Sequence, residues 1–163
     1  MRFIAILAAI AVATLAAGCD RHPAKTVQIK SKDGSVTISG NDQHMTMTAD
    51  DGKTKIEINT NGMGNQKLPA FAPVYPGAQV QSSVAAQAAG GGTFSFVSSD
   101  APEKVVAFYK NSAKSAGLVE KMTMTNDGNV TYMASNGDSK KTLQVIAVKS
   151  DTGSQVQVYW AAK

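Results

Sequence analysis

A period-two alternation of apolar and polar residues constrains this chain more than any other feature of its sequence. Side chains alternate between the two faces of a strand, so this period predicts half-buried strands. Asp33-Gly34 and Asp51-Gly52 separate successive apolar pairs and favour tight turns. We therefore predict a β ribbon of two hairpins over residues 26–60. Its apolar pairs are Val27 and Ile29, Val36 and Ile38, Met45 and Met47, and Ile56 and Ile58.

The predicted ribbon has little apolar surface for its length. The entropy lost when its backbone is ordered exceeds what eight apolar side chains can offset. We therefore predict that the ribbon is only marginally stable alone and depends on the rest of the chain, on a partner or on a membrane.

A linker and a second unit follow the ribbon. Residues 61–77 begin with a flexible stretch rich in Gly and Asn and continue with three prolines, which favour an extended path. Residues 78–163 contain six strand patterns and one helix pattern in the order ββαββββ. We predict an α+β fold, an antiparallel sheet with one packed helix, preceded by a small all-β hairpin ribbon. The predicted strands are 79–86, 93–97, 119–125, 130–134, 142–149 and 155–161.

The helix signals lie between Asp100 and Gly117. Asp100 is the predicted N-cap, Glu103 completes a capping box, and Pro102 is tolerated in the first turn. Gly117 is predicted to end the helix. One broad face of the helix is apolar and is predicted to pack on the sheet. That face contains Val105, Phe108, Tyr109 and Ala116.

The amino-terminal segment has the composition of a secretory leader. Arg2 precedes an uncharged run, 3–18, that is rich in Ala, Ile and Leu and ends at Cys19. Its 16 residues are fewer than a membrane-spanning helix needs. We predict a cleaved signal peptide over residues 1–18 and a short polar tether over residues 19–25.

The boundary Leu15-Ala16-Ala17-Gly18-Cys19 resembles the lipobox of bacterial lipoproteins. In that family the cysteine is diacylated and the leader is cut just before it. The resemblance implies that acyl chains on Cys19 anchor the protein in the periplasm, and that Asp20 favours the inner membrane. Two or more acyl chains hold a protein stably at a bilayer. The alternative is an ordinary signal peptide with an incidental cysteine.

A second resemblance concerns the carboxy-terminal part of the chain. Tyr75-Pro76-Gly77-Ala78, followed by Asp100, Phe108-Tyr109 and Gly117, is similar to a pattern in uncharacterised bacterial envelope lipoproteins. The resemblance covers about half the chain. It implies a structural domain and supplies no catalytic residues.

Composition argues against several classes of function. The 16 basic and 12 acidic residues are scattered, whereas nucleic-acid-binding proteins concentrate Lys and Arg on one face. His22 and His44 are the only histidines, too few for a plausible Ser-His-Asp set. The run Gly90–Thr93 lacks the lysine of a phosphate loop and precedes a strand. Turn geometry explains the paired carboxylates Asp50-Asp51. We predict no nucleic-acid partner, no cofactor and no catalytic site.

Methionine pairs raise one alternative chemistry. Two segments, 44–47 and 122–124, each place two methionines on one side of a predicted strand. Thioethers and imidazole suit Cu(I) or Ag(I), so these segments could form a soft-metal site. Methionine also fills strand cores, and neighbouring strands carry Val or Ile at the same positions. The candidate ligands are His44, Met45, Met47, Met122 and Met124.

The sequence therefore predicts a lipid-anchored periplasmic protein that acts as a non-catalytic binding or structural module of the cell envelope. Its membrane partner would be lipid, held through acylated Cys19. Exposed strand edges would offer an envelope protein a place for strand addition. The alternative function is a periplasmic soft-metal binding protein.

Overall fold

Ten strands and one helix make up the part of the chain that the computed structural model describes, namely residues 25–31, 34–49, 54–86 and 90–162. No helix among these residues is long and apolar enough to span a membrane. The elements, in chain order, are β1 Lys25–Ser31, β2 Gly34–Gly40, β3 His44–Ala49, β4 Lys55–Asn59, β5 Gln79–Ala86, β6 Gly91–Ser98, α1 Pro102–Ser115, β7 Val119–Asn126, β8 Asn129–Ser135, β9 Lys141–Ser150 and β10 Gly153–Ala162.

All ten strands belong to one antiparallel sheet, in the order β1-β2-β3-β4-β5-β6-β10-β9-β8-β7. The prediction of an α+β domain preceded by a separate hairpin ribbon is wrong. The chain is mostly antiparallel sheet with a single described helix, and the ribbon continues the sheet. The join is the pairing of β4 with β5, in which Ile58 lies opposite Val84 and Asn59 opposite Ser83. The alternation predicts strands, but it carries no information about which strand pairs with which.

Several predictions fall outside the described residues. These include the signal peptide 1–18, the lipidation site Cys19 and Asp20 after it. The turn residues Asp33 and 50–53 also lie outside the description.

The N-cap position lies one residue later than predicted. Ala101 precedes α1 with extended backbone and no side-chain cap, so the prediction that Asp100 is the N-cap is wrong. The Asp100 carboxylate instead accepts hydrogen bonds from the Tyr75 hydroxyl at 2.6 Å and from Lys104 Nζ at 2.7 Å. These two stronger donors occupy the oxygens that would otherwise cap the helix.

The predicted stop at Gly117 is confirmed. Gly117 has φ +77°, a left-handed conformation that favours glycine. Its N–H donates to Lys114 O at 3.0 Å, and the Leu118 N–H donates to Ala113 O at 2.9 Å. Together these bonds form the Schellman motif that satisfies carbonyls at the end of a helix.

The main core lies between α1 and strands β6, β10, β9 and β8. The buried helix residues Val105, Val106, Tyr109 and Ala113 pack there against fully buried residues of the sheet. Phe96 is at the centre of an aromatic group, with ring centroids 6.1 Å from Phe94, 6.1 Å from Tyr75 and 6.5 Å from Tyr109.

The proline-rich segment before β5 is part of this core. Phe71, Ala72 and Tyr75 are buried, and the Tyr109 hydroxyl donates to Pro73 O at 3.0 Å. The segment predicted as an extended linker therefore packs against the helix. An isolated Phe between prolines gives no periodic pattern, so its burial was not evident from the sequence.

The contact between Tyr75 and Asp100 predicts a pH dependence of stability. The hydrogen bonds from Lys104 and Tyr75 hold the pKa of Asp100 below its usual value of 3.8. A depressed carboxyl pKa stabilises the fold above pH 3.8, and this stabilisation is lost as pH falls through the folded-state pKa. Asp100→Asn is therefore expected to lower the melting temperature at pH 7, with a difference from wild type that shrinks below about pH 4.

The same pair predicts a second change at alkaline pH. Burial, followed by the hydrogen bond to Asp100 and its charge, raises the pKa of Tyr75 from 10.0 to about 12. The unfolded chain loses this proton first, so stability is expected to fall as pH rises from 10 towards 12. Tyr75→Phe should remove part of that alkaline loss. Thermal melts of both variants and wild type from pH 3 to 11.5 test the acid and the alkaline prediction. If the melting temperatures of the variants and wild type differ by the same amount at every pH, both predictions are contradicted.

The sheet has a different apolar side at each of its two ends. In β6 and β8–β10 the apolar residues face α1, and we call this side the helix face. Phe94 lies on the helix face, and the register passes from Phe94 to Ser83 and then to Asn59. Asn59 is therefore also on the helix face. Its neighbour Ile58 and the residue paired with it, Val84, point to the opposite side of the sheet, and the apolar pairs of β1–β4 lie on that side. We call that set the open apolar face: Val27, Ile29, Val36, Ile38, Met45, Met47, Ile56 and Ile58.

Candidate functional site

The strongest candidate site is a pocket of about 440 Å³ at the helix-face side of the sheet, next to Trp160. We call it the Trp160 pocket. Trp160 is the only tryptophan of the chain and forms one wall. Another side is lined by small residues of β5, of β6 and of the position just before β6. The polar lining comes from Glu57 and residues 65–67. The lining residues are Glu57, Asn65, Gln66, Lys67, Ala85, Ala86, Gly90, Gly91 and Trp160.

Glycine is required beneath the indole. β10 pairs with β6 so that Trp160 lies opposite Gly92. A Cβ atom added at Gly92 would lie 2.5 Å from Val84 O and 3.0 Å from Trp160 Cζ2. A Cβ at Gly91 would lie 2.9 Å from Trp160 O. The glycine run therefore allows the tryptophan to lie close to the sheet.

Both charge signs border the pocket. Glu57 has a side chain only 12% exposed and forms a 2.6 Å ion pair with Lys55. Lys67 is exposed on the opposite loop. A ligand in the pocket would therefore meet an apolar wall together with an ammonium group and a carboxylate that is already paired.

A buried polar network fixes the loop that carries this rim. Asn59, 3% exposed, donates from Nδ2 to Ser83 Oγ at 3.2 Å and to Met63 O at 3.4 Å. The Ser83 hydroxyl donates to Gly62 O at 3.0 Å. The Gln66 side chain donates to Glu57 O at 3.2 Å. Buried polar groups that are fully paired hold a segment in one arrangement, so the rim is preorganised by β4 and β5.

His44 belongs to this network. Its Nδ1 lies 2.7 Å from Asn59 Oδ1, and because Asn59 Oδ1 can only accept, Nδ1 carries the proton. Nε2 lies 3.3 Å from the Thr46 hydroxyl oxygen. Both ring nitrogens therefore have partners within the sheet.

The structure does not bring the five predicted soft-metal ligands together. Met45 and Met47 lie on the open apolar face, whereas His44 lies on the helix face of the same strand. Met122 and Met124 lie on β7, seven strand positions from β3 in the sheet order. Within the described ranges no group of three or more His, Cys, Asp or Glu side chains could hold a metal ion.

Two smaller pockets lie elsewhere on the described residues. One, of about 350 Å³, lies beside Tyr159 and Met133 and also touches Trp160. The other, of about 310 Å³, lies at the start of α1 near Glu103 and Lys149. The Trp160 pocket is larger than either and has a rim fixed by hydrogen bonds.

The sequence alone did not identify the Trp160 pocket. The spacing of two residues puts Trp160 on the same strand face as Val158, but it does not indicate that the glycine run lies opposite the indole. A lone tryptophan in one strand and consecutive glycines in another are a signal of close approach only when their pairing is known.

Comparison with known proteins gives one match. A protein-family description, START domain-like, matches residues 78–158. No curated protein and no solved structure matches the chain. The matched range covers β5 to β9, α1 and most of β10, and it ends two residues before Trp160. In this range, which includes the small residues of the pocket, the chain is similar to the START domain-like family.

Proposed function

We propose that the protein is a lipid-anchored periplasmic binding module, without catalytic activity, that holds a small amphipathic molecule in the Trp160 pocket. The observation that carries this proposal is the pocket itself, in which an indole packed on Gly92 forms one wall and a hydrogen-bonded loop forms the rim. Its volume of about 440 Å³ is within the range of small-molecule sites. The START domain-like match supports binding as the role of residues 78–158.

The lining argues for a ligand with one flat apolar part and one polar end. The indole and the alanine and glycine surface favour stacking of an apolar group. Lys67 and Asn65 are at the rim, where an anionic or hydrogen-bonding end of the ligand would remain near solvent. Glu57 is paired with Lys55, which reduces its repulsion of an anion.

The membrane anchor in this proposal rests on the lipobox-like boundary at Cys19. β1 begins at Lys25, six residues after Cys19, so a short tether would hold the sheet close to the bilayer. Asp20 supports the inner membrane as its location. The two outer strands of the described sheet, β1 and β7, have one unpaired edge each and would allow strand addition by an envelope protein.

Quenching of Trp160 fluorescence by anilinonaphthalene sulfonate, an anionic aromatic probe, tests the pocket. Because Trp160 is the only tryptophan, its emission reports on this site. We expect saturable quenching in wild type and at least tenfold weaker binding in Ala85→Leu, in which added carbons fill the pocket. Ala107→Leu adds the same group on the exposed side of α1 and is the matched control. Equal affinity of the two variants for the probe would contradict the proposal.

A further inference from the structure

The open apolar face is the largest feature of the sheet that the proposed function does not use. Three of its side chains are strongly exposed: Val27 at 54%, Ile29 at 56% and Met45 at 40%. Its apolar residues follow one another across four strands, since Val27 lies opposite Ile38, Ile38 opposite Met47 and Met47 opposite Ile56. α1 contacts only β7–β10, so the described helix does not cover this face.

The other side of the same four strands is polar. It carries Thr26 and Ser39, whose hydroxyls lie 3.3 Å apart, and the ion pair of Lys55 with Glu57. The ribbon is therefore amphipathic, with the apolar side turned away from the helix and from the Trp160 pocket. Among its described residues, Lys25 at one end is the only charged residue on the apolar side.

We propose that the open apolar face binds the same face of a second copy of this chain. Two such faces would stack as a β sandwich, with Val, Ile and Met side chains interdigitating between the sheets. Four strands about 4.8 Å apart and about 20 Å long present roughly 400 Å² of flat area per copy. Two copies would together cover roughly 800 Å² of flat area, less than the roughly 1,200 Å² at which stable specific interfaces begin, so we expect the dimer to be weak.

The chemistry of the face favours a second copy over a bilayer. Membrane interfaces select Trp and Tyr together with clustered Lys or Arg, and the described strands of this face carry neither on the apolar side. It contains β-branched residues and methionine in the alternating arrangement of sandwich cores. With no acidic residue on the described part of the face, two copies meet without a buried carboxylate. The Trp160 pocket lies on the other side of the sheet and stays open in such a dimer.

Cysteine cross-linking of the full chain in isolated membranes tests the dimer. Ile38→Cys and Met47→Cys place a thiol on the open apolar face, and their neighbours Thr37→Cys and Thr46→Cys place one on the helix face. A short bismaleimide is expected to give at least ten times more covalent dimer at positions 38 and 47 than at 37 and 46. Edge-to-edge pairing would instead give similar yields for neighbouring residues, so equal yields overturn the proposal.

Two further experiments distinguish a second copy of the chain from lipid or another protein on the open apolar face. Adding Ile38→Ser to Met47→Cys should reduce the dimer yield several-fold, whereas Val119→Ser, at an exposed position on β7, should not. If Ile38→Cys gives no dimer, the proposal is overturned. Labelling by a water-soluble maleimide then shows an open face, and protection shows lipid or another protein. The chain without an added cysteine is the control for Cys19, because an unmodified Cys19 thiol would itself react with the bismaleimide.

Discussion

Phe96→Ala is expected to lower the free energy of unfolding by about 3–5 kcal/mol, the cost typical of removing a buried aromatic ring. Phe96 is fully buried, and its ring lies between those of Phe94, Tyr75 and Tyr109. The truncation leaves a cavity where α1, β6 and the segment before β5 meet. Because all three elements depend on this ring, the loss should approach the upper end of the range. Chemical denaturation followed by far-ultraviolet circular dichroism measures it.

Phe96→Leu is the matched control for this effect. Leucine retains most of the apolar volume, so its cost should be well below that of alanine. Phe108→Ala gives a second comparison, since Phe108 is only partly buried at the edge of the same aromatic group. A loss of less than about 1 kcal/mol for Phe96→Ala would mean that the core is not organised around this ring.

Cys19→Ser is expected to abolish fatty-acid labelling of the protein and cleavage of its leader. Lipidation of the kind that the lipobox-like boundary implies requires the thiol, and the chain has no other cysteine. Cells grown with an alkyne-tagged fatty acid should give a labelled mature band for wild type. The variant should give an unlabelled band that is larger by the mass of residues 1–18.

Asp20→Ala separates acylation from sorting in the same assay. This variant keeps the thiol, so its label and its size should equal those of wild type. Fractionation of inner and outer membranes should show it redistributed if Asp20 favours the inner membrane. An unlabelled wild-type protein, or equal labelling of Cys19→Ser, would remove the support for an anchored role.

Local patterns predicted the strands better than they predicted the assembly. The strand predicted over 79–86 is β5, Gln79–Ala86, because apolar alternation and the following glycines mark its limits. The pairing of β4 with β5 depends on Asn59 meeting Ser83 across 24 residues, a contact that no local pattern encodes. That contact converts the predicted separate ribbon into one end of a single sheet.

Competition between side chains explains why the prediction of Asp100 as the N-cap of α1 is wrong. Asp100 and Glu103 have the spacing of a capping box, but Tyr75 and Lys104 occupy the Asp100 carboxylate. A sequence window around the helix includes Lys104 and excludes Tyr75, which reaches Asp100 only after the proline-rich segment folds back. The Trp160 pocket could not be predicted for the same reason, since Trp160 and the glycines that it approaches are far apart in the chain.

The proposed function requires that a small molecule is held beside Trp160, and native mass spectrometry of the protein extracted from membranes detects such a molecule. Trp160→Ala removes the wall of the pocket, and Tyr159→Ala truncates the neighbouring aromatic residue on the opposite face of β10. We predict that wild type and Tyr159→Ala retain a bound molecule of the same mass and that Trp160→Ala loses it. No bound molecule in wild type, or the same bound mass in all three proteins, would contradict the claim.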